Sequence, residues 1–184
     1  LKIGVISDTH GDAATWRKVR EEYFRDADYL IHAGDVLYHG PRNPLVAGYD
    51  PRELARLINE SDIPIVAARG NCDADVDQLV LNYPLQAPYA FLRESGFSIL
   101  VNHGDKLARD EMVQLARRFR VDLFIFGHIH EPVLDVEDGV ILLNPGSCAL
   151  PKGDGPPTVA VIDGGKIAII DINSGNKLSV VTIR

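Results

Sequence analysis

Residues 122–132 read DLFIFGHIHEP. Four apolar residues, Leu123 to Phe126, run straight into Gly127 and then into His128 and His130, one residue apart. A run this short reads as a buried strand that comes out into a loop. In an extended segment alternate side chains point the same way, so both imidazoles are expected to reach one point in space, with Gly127 letting the backbone turn sharply there. Imidazole is the commonest metal ligand among side chains. A His-x-His pair standing alone also fits packed or surface histidines, so its meaning depends on the partners supplied by the rest of the chain.

Working outward, other apolar runs end in the same abrupt way. A first strand is expected over Lys2 to Ser7, followed by a helix at about 12–25 with Asp12 as N-cap and Trp16, Val19 and Tyr23 near one face. DYLIHAGD (28–35) reads as a second strand ending at Gly34-Asp35. DPRELARLI (50–58) opens a helix, with Asp50 as cap, Pro51 at the first helical position and Glu53 completing a capping box. IPIVAARGN (63–71) and FSILVNHG (97–104) are further strands. A helix at about 110–120 should turn Met112, Leu115, Ala116 and Phe119 inward. After the 122–132 stretch come short strands, PVLDV, GVILLN, TVAVID, KIAIIDI and LSVVTI, separated by turn residues such as Asp138-Gly139 and Gly164-Gly165. Strand-helix alternation in the first two-thirds and hairpins in the last third imply two sheets packed together with helices outside. The segment 37–49, LYHGPRNPLVAGY, has no period, and a loop of this length is usually functional or an interaction surface.

The chain has 184 residues, 46% hydrophobic and 24% charged, which fits a soluble globular protein with one domain over 1–184. A formal net charge of -7 argues against a general nucleic-acid binder and gives no reason to expect an anionic membrane surface. Such a protein needs local positive charge to handle an anionic substrate, and metal ions are one source. Cys72 and Cys148 form neither a CxxC pair nor a disulfide framework, so a reducing cytoplasm is the simplest compartment. The first residues lack the h-region of a signal peptide, and no stretch reaches transmembrane length.

The polar residues at the strand ends line up. Asp8 and His10 follow the first strand, Asp35 the second, Asn71 the third, His103 the fourth, and His128 and His130 the fifth. In a mostly parallel sheet the carboxyl ends share one rim, where ligands bind. Each residue has a plain alternative: Asp8 a helix cap, Asn71 a turn residue, His103 a surface histidine. All of these holding together is improbable, so the convergence points to a metal site. Seven ligands exceed what one catalytic zinc needs and suit two ions sharing one carboxylate. The mixed oxygen and imidazole set suits Mn, Fe, Zn, Co or Ni. Two such ions, about 3.5–4 Å apart, can share a hydroxide that attacks phosphorus while they clamp a phosphoryl oxygen, which is chemistry for phosphoester hydrolysis.

The motifs DTH (8–10), GD (34–35), GNCD (70–73), NHG (102–104) and GHIH (127–130), in that order, resemble the calcineurin-like metallophosphoesterase superfamily. GDVLYHGPRNPLVAGYDP (34–51), RGNCDADVDQLVLNYP (69–84) and LNPGSCALPKG (143–153) are similar to its small bacterial YfcE-like phosphodiesterase branch. The resemblance implies an α/β fold, a four-layer α/β/β/α sandwich of two mixed sheets flanked by helices. It also implies two divalent ions, manganese foremost, and phosphodiesterase activity on a small diester. It assigns one ion to Asp8, His10, Asp35 and His130, and the other to Asp35, Asn71, His103 and His128, with Asp35 the bridge. The chain departs from many superfamily members at Cys72, where they place a histidine as candidate acid for the leaving group. Asn71 and Cys72 are therefore the catalytic candidates.

His32, inside a strand, is expected in the core, and Cys148 packed. His39 and Arg42, on the loop after Asp35, are candidate substrate-binding residues, Arg42 through bidentate contact with a phosphate; a solvated loop arginine is the alternative. Apolar Leu45, Val46, Ala47 and Tyr49 on a surface loop predict a homo-oligomer with this loop at or near the interface, unless the loop folds back over the chain's own helices. A non-catalytic metal-binding scaffold of the same fold, or a phosphomonoesterase or phosphoprotein phosphatase, are the competing functions; the retained Asp35 argues against the first.

Overall fold

Alternate residues of the apolar strands face opposite layers, and this assembles the protein. In the computed structural model, which describes residues 1–94 and 96–183, the first strand is β1 (Lys2–Ile6), followed by α1 (Ala13–Glu22), β2 (Tyr29–His32), α2 (Pro51–Asn59) and β3 (Ile65–Ala68). A 3-10 helix (Asp75–Leu79) leads to β4 (Leu85–Gln86), β5 (Ala90–Glu94), β6 (Phe97–Val101), α3 (Arg109–Phe119) and β7 (Leu123–Ile125). The remainder is β8 (Pro132–Glu137), β9 (Val140–Pro145), β10 (Thr158–Asp163), β11 (Lys166–Asp171) and β12 (Lys177–Thr182). One sheet runs β12-β11-β10-β1-β2-β3-β4 and the other β5-β6-β7-β9-β8. β1 to β4 are parallel, as are β6, β7 and β9, while the hairpin strands are antiparallel.

Ile3, Val5, Ile31 and Ala33 of the first sheet pack against Ile99, Val101, Leu123 and Ile125 of the second. The opposite face of the first sheet meets Trp16 and Val19 of α1 and Leu54, Ala55 and Ile58 of α2. The outer face of the second sheet, Leu100, Phe124 and Leu142, meets Met112, Val113 and Ala116 of α3. These contacts are the four layers α/β/β/α.

The two sheets are not the two halves of the chain. β8 and β9 join the second sheet, whereas β10 to β12 extend the first beside β1. The five ligand-bearing strand ends therefore come from both sheets, not from one rim. Two helix details also differ from expectation. Phe119 ends α3 on the exposed side, 49% accessible, with its ring beside Tyr89, and Val113 takes the inward place. Glu53 does not close a capping box: Asp50 Oδ1 accepts from the Glu53 N–H, but the Glu53 carboxylate pairs with Arg17 and Arg56, and the Asp50 N–H goes to the Gly11 carbonyl.

Candidate metal centre

Each chain segment turns sharply just past its strand. Seven non-glycine residues have positive φ among those described, and five are candidate ligands: Asp8 (53°), His10 (46°), Asp35 (58°), His128 (69°) and His130 (60°). The other two are Arg120, which ends α3, and Asp138, in the β8–β9 hairpin. Left-handed backbone at a non-glycine residue is uncommon and clusters at functional sites. It also corrects the extended geometry expected for 128–130. The two histidines do not alternate along a strand; β7 ends at Ile125, and both lie in left-handed turns that aim them differently.

Close approach between the segments demands glycine. Gly127 does not have the positive φ of a sharp glycine turn; instead, a Cβ there would stand 2.1 Å from Ser7 Oγ and 2.8 Å from Asp8 Oδ2. At Gly70 it would stand 2.2 Å from Asp35 Oδ1. The exits of β7 and β1, from different sheets, are thereby pressed together. Backbone hydrogen bonds from Asp8 N to Gly34 O, His10 N to Asp35 O and Gly127 N to His103 O stitch the exits further.

Three imidazoles are oriented by backbone carbonyls. Nδ1 of His10 lies 2.8 Å from Tyr38 O, that of His103 2.8 Å from Ala33 O, and that of His130 2.6 Å from Leu150 O. With Nδ1–H donating outward, each neutral ring presents its Nε2 lone pair to the centre. Nε2 of His10 and Nε2 of His130 are 3.2 Å apart. Asp8 Oδ1 is 3.3 Å from the His130 Nε2, 3.8 Å from that of His10 and 4.0 Å from that of His103. Asp35 Oδ2 is 3.4 Å from His103 Nε2 and 3.7 Å from His10 Nε2, and Asn71 Oδ1 is 3.1 Å from His103 Nε2. Asp8 Oδ1 is fully buried and, among the described residues, has no hydrogen-bond partner. Facing lone pairs around an orphaned carboxylate oxygen are unfavourable unless a cation or proton lies between them. The donor set therefore fits divalent metal.

Three groups of donor atoms lie mutually within 4.8 Å: Asp8, His10 and His130; Asp8, Asp35 and His103; and His10, Asp35 and Cys72. His128 belongs to none of them; its ring packs edge-on against that of His103, with centroids 5.2 Å apart, while its N–H donates to Asp8 Oδ2. The charges of these side chains also act on one another. Burial raises the Asp35 carboxyl, but the hydrogen bond and charge of His103 and the Cys72 N–H outweigh this and hold it below the ordinary range. Burial works against the His103 imidazolium, yet Asp35 and Asp8 push it up to about 9. His130 is raised in the same sense, burial again opposing and Asp8 prevailing, while burial and the neighbouring His103 lower His128.

A supporting layer escaped the reading of the sequence. Asp73 is buried and accepts from three backbone N–H groups, Val36 (2.7 Å), Asp35 (2.9 Å) and Gly70 (2.7 Å), so it fixes the turn that carries Asp35. Ser147 Oγ donates to Asp8 O and accepts from the Leu150 N–H, which places the carbonyl holding His130. Asn144 Nδ2 donates to Gly127 O. The signals were present in the motifs GNCD and NPGS, as polar residues at turns with no ligand role. His32 is buried as expected; its Nε2 is 3.0 Å from Thr9 Oγ1, its Nδ1 accepts from the Gly34 N–H, and burial lowers its pKa to about 4. Cys148 is buried too.

The loop 37–49 closes over one side. Tyr38 holds His10, the Ala13 N–H donates to Gly48 O, and a Cβ on Gly40 would lie 3.1 Å from Cys72 Sγ. Cys72 is half-buried and faces the cluster. His39 is half-buried between the rings of Tyr38 and Tyr49, its Nδ1 3.4 Å from Tyr49 Oη. Arg42 is exposed, with no hydrogen bond or ion pair among the described residues. Among the described residues no helix is long and apolar enough to cross a membrane.

A family model described as the calcineurin-like phosphoesterase superfamily domain matches residues 1–166. Phosphodiesterase YfcE of Escherichia coli is 33% identical over 184 residues, 100% of this chain and 98% of that one. A solved structure of that phosphoesterase superposes with a TM-score of 0.89 at 30% identity, covering 100% of both chains. A Vacuolar Protein Sorting 29 structure from Cryptosporidium parvum shares the fold at 20% identity, with a TM-score of 0.72 and 98% and 97% coverage.

Proposed function

From the premise that the chain belongs to the calcineurin-like phosphoesterase superfamily, we propose that it is a metal-dependent hydrolase of small phosphodiesters, with residues 1–184 acting as one catalytic domain. The observation that carries the metal site is the orphaned Asp8 Oδ1, buried among inward-facing Nε2 atoms. Asp8, His10, Asp35 and His130 would hold one divalent ion, and Asp35, Asn71, His103 and His128 the other, with manganese the expected metal. Such ions would supply positive charge to a phosphoryl group and lower the pKa of bound water toward neutrality. The chain's own residues do the rest. Tyr38, Ala33 and Leu150 carbonyls fix the imidazoles before substrate arrives, and Asp73 holds Asp35 in its strained turn. Asn71 and Cys72, beside the donor atoms of His103, His10 and Asp35, would be the groups near a leaving group, and the unpaired Arg42, with His39 beside it on the loop, would meet a phosphate oxygen from outside. The similarity to a phosphodiesterase over the full chain supports the diester class. The two free cysteines fit a reducing cytoplasm, and we expect a homo-oligomer.

The test is a substrate screen of manganese-loaded protein against diesters, monoesters, cyclic nucleotides and nucleic acid. Diester hydrolysis that disappears with chelator and returns with metal is the expected result. Turnover of monoesters alone, or no turnover with any of the five metals, rejects the proposal.

A further inference from the structure

Residues 144–147 read NPGS, and Asn144 and Ser147 are both fully buried. Asn144 and Pro145 close β9, which lies beside β7 in the second sheet. The chain then crosses to the first sheet, where the Thr158 N–H donates to Ser147 O. Gly146 permits the crossing: its φ is 75°, and a Cβ there would stand 2.1 Å from Thr158 Oγ1. The two polar side chains reach different ligand segments. Asn144 Nδ2 donates to Gly127 O at 2.7 Å, and the Gly127 N–H donates to His103 O at 2.9 Å. The Gly127 carbonyl lies in the rigid peptide plane that leads into His128, so this chain of bonds joins the segments of His103 and His128. Ser147 Oγ donates to Asp8 O at 2.8 Å and accepts from the N–H groups of Leu150 (2.8 Å) and Ala149 (3.2 Å). Its one donor and two acceptor sites are all used. Leu150 O in turn lies 2.6 Å from His130 Nδ1, so the serine joins the segments of Asp8 and His130.

On the two-ion assignment made above, on which this inference rests, the two sets of bonds sort by ion. We propose that the turn divides its labour between the ions. Ser147 is a positioning residue for the ion of Asp8, His10 and His130, and Asn144 for the ion of Asn71, His103 and His128. Neither side chain is itself a ligand. Each acts through a backbone carbonyl, Leu150 O on the His130 ring and Gly127 O on the peptide that carries His128. Outer partners of this kind are worth about 10–100-fold in metal affinity. Pro145, with its φ fixed by the ring, and Gly146, in a conformation that crowding by Thr158 reserves for glycine, set the separation of Asn144 from Ser147. The turn thereby holds the two ligand groups, one from each sheet, at a fixed spacing. The His128 N–H donates to Asp8 Oδ2 and couples the groups, so each effect falls mainly, not wholly, on its own ion.

The experiment titrates manganese into the metal-free full chain and counts free ion by electron paramagnetic resonance. Two ligand variants isolate the ions: His103→Ala should leave the ion of His130, and His10→Ala that of His103. Ser147→Ala and Asn144→Ala are then made in each background, and circular dichroism in chelator confirms that they fold. In the His103→Ala background Ser147→Ala should weaken manganese by about 10–100-fold and Asn144→Ala by no more than about 2–3-fold, as for sites that add independently. In the His10→Ala background the order should invert. A purely structural role would not produce the inversion, because both residues are buried in one turn and a loosened turn would weaken both ions alike. Equal weakening in both backgrounds, or none, overturns the proposal. Ser147→Ala removes one oxygen and adds no bulk, so its two backgrounds decide the matter alone if Asn144→Ala does not fold. A wild type that binds other than two ions, or a ligand variant that does not bind one, overturns the two-ion assignment beneath the proposal; two ions in wild type with no inversion overturns the division of labour only.

Discussion

Replacing Asp8 by Asn should make the metal-free protein more stable and the metal-loaded protein less so. Asp8 Oδ2 accepts from Ser7 Oγ at 2.5 Å and from the His128 N–H at 3.1 Å, and an Asn carbonyl oxygen can keep both bonds. The other oxygen, Oδ1, is buried and unsatisfied, 3.3 Å from Nε2 of a His130 whose Nδ1 is turned to Leu150. An amide nitrogen in its place gives that lone pair a donor. A stranded buried polar group costs about 1–3 kcal/mol, more when charged. At roughly 2–4 °C per kcal/mol for a domain of this size, the gain is about 2–12 °C in melting temperature.

Metal reverses the order. A ligand at about 100 times its Kd stabilises the native state by about 2.7 kcal/mol, roughly 5–11 °C on the same scale, and a variant without the carboxylate forfeits this. The assay is thermal unfolding by circular dichroism, in chelator and in excess manganese, at mildly alkaline pH. Acid should shrink the advantage of Asn. Burial opposes the His130 imidazolium, but Asp8 raises its pKa. That pair stabilises the native state at low pH and is lost as pH rises through the folded value. An Asp8→Asn protein that melts below wild type in chelator refutes the reasoning, because the orphaned oxygen then carries no cost.

Three further outcomes are expected. Asp35→Asn should lose most activity, and elemental analysis should fall from two metals per chain, because an amide lacks the negative charge that two dications need. Asp73→Ala strands three buried N–H groups, a loss of roughly 3 kcal/mol or more in urea unfolding, and should reduce activity even where the protein remains folded. His32 is buried and its pKa is held down to about 4, against about 6.5 unfolded, so the unfolded chain takes a proton first as pH falls. Stability from this group should be full above 6.5 and drop by on the order of 3 kcal/mol by pH 4; a His32→Gln protein with the same acid limb in urea titrations would contradict this.

What the sequence reveals depends on how loudly each residue speaks. Asp8, His10, Asp35, Asn71, His103, His128 and His130 were legible because each interrupts an apolar strand at its end, and a polar residue there needs a reason. The layers followed from the alternation of residues such as Leu123, Phe124 and Ile125, whose side chains enter two cores. Sheet membership was not legible. β9 and β10 have the same hairpin character, and only tertiary pairing sends one to β7 and the other to β1. The left-handed turns were also silent, since His and Asp carry no mark of positive φ as glycine does. Gly127 spoke misleadingly, because it answers crowding by Ser7 and not a turn. Glu53 fitted a capping box by position, but Arg17 and Arg56 offer it a full charge where the Asp50 N–H offers a dipole. Asp73 was hidden because its partners are backbone groups, and two of them, Asp35 and Val36, lie on a turn distant in sequence.

Cys72 stands where the family resemblance leads one to expect a histidine, and its surroundings say what a thiol there can do. Its Sγ lies with the donor atoms of His10 and Asp35, and Asn71 Nδ2 donates to it at 3.3 Å. It therefore faces the cluster, as a histidine there would. Burial, with the Asp35 charge behind it, pushes the thiol up to about 12, so it keeps its proton. A thiol is nevertheless a weak donor, and an acid whose pKa lies far above the working pH transfers little in the transition state. A well-matched acid is worth about 10²–10⁴-fold, and this protein should lack most of that. It should cleave nitrophenyl diesters readily and alkyl diesters slowly, with rates falling steeply as the leaving-group pKa rises. Cys72→His should flatten that dependence, gaining most on the poorest leaving groups, and Cys72→Ala should change little. Rates across a graded diester series decide it. A large loss in Cys72→Ala that grows as the leaving group worsens would make the thiol itself the acid, with the Asn71 Nδ2 donor at Sγ then offsetting the Asp35 charge.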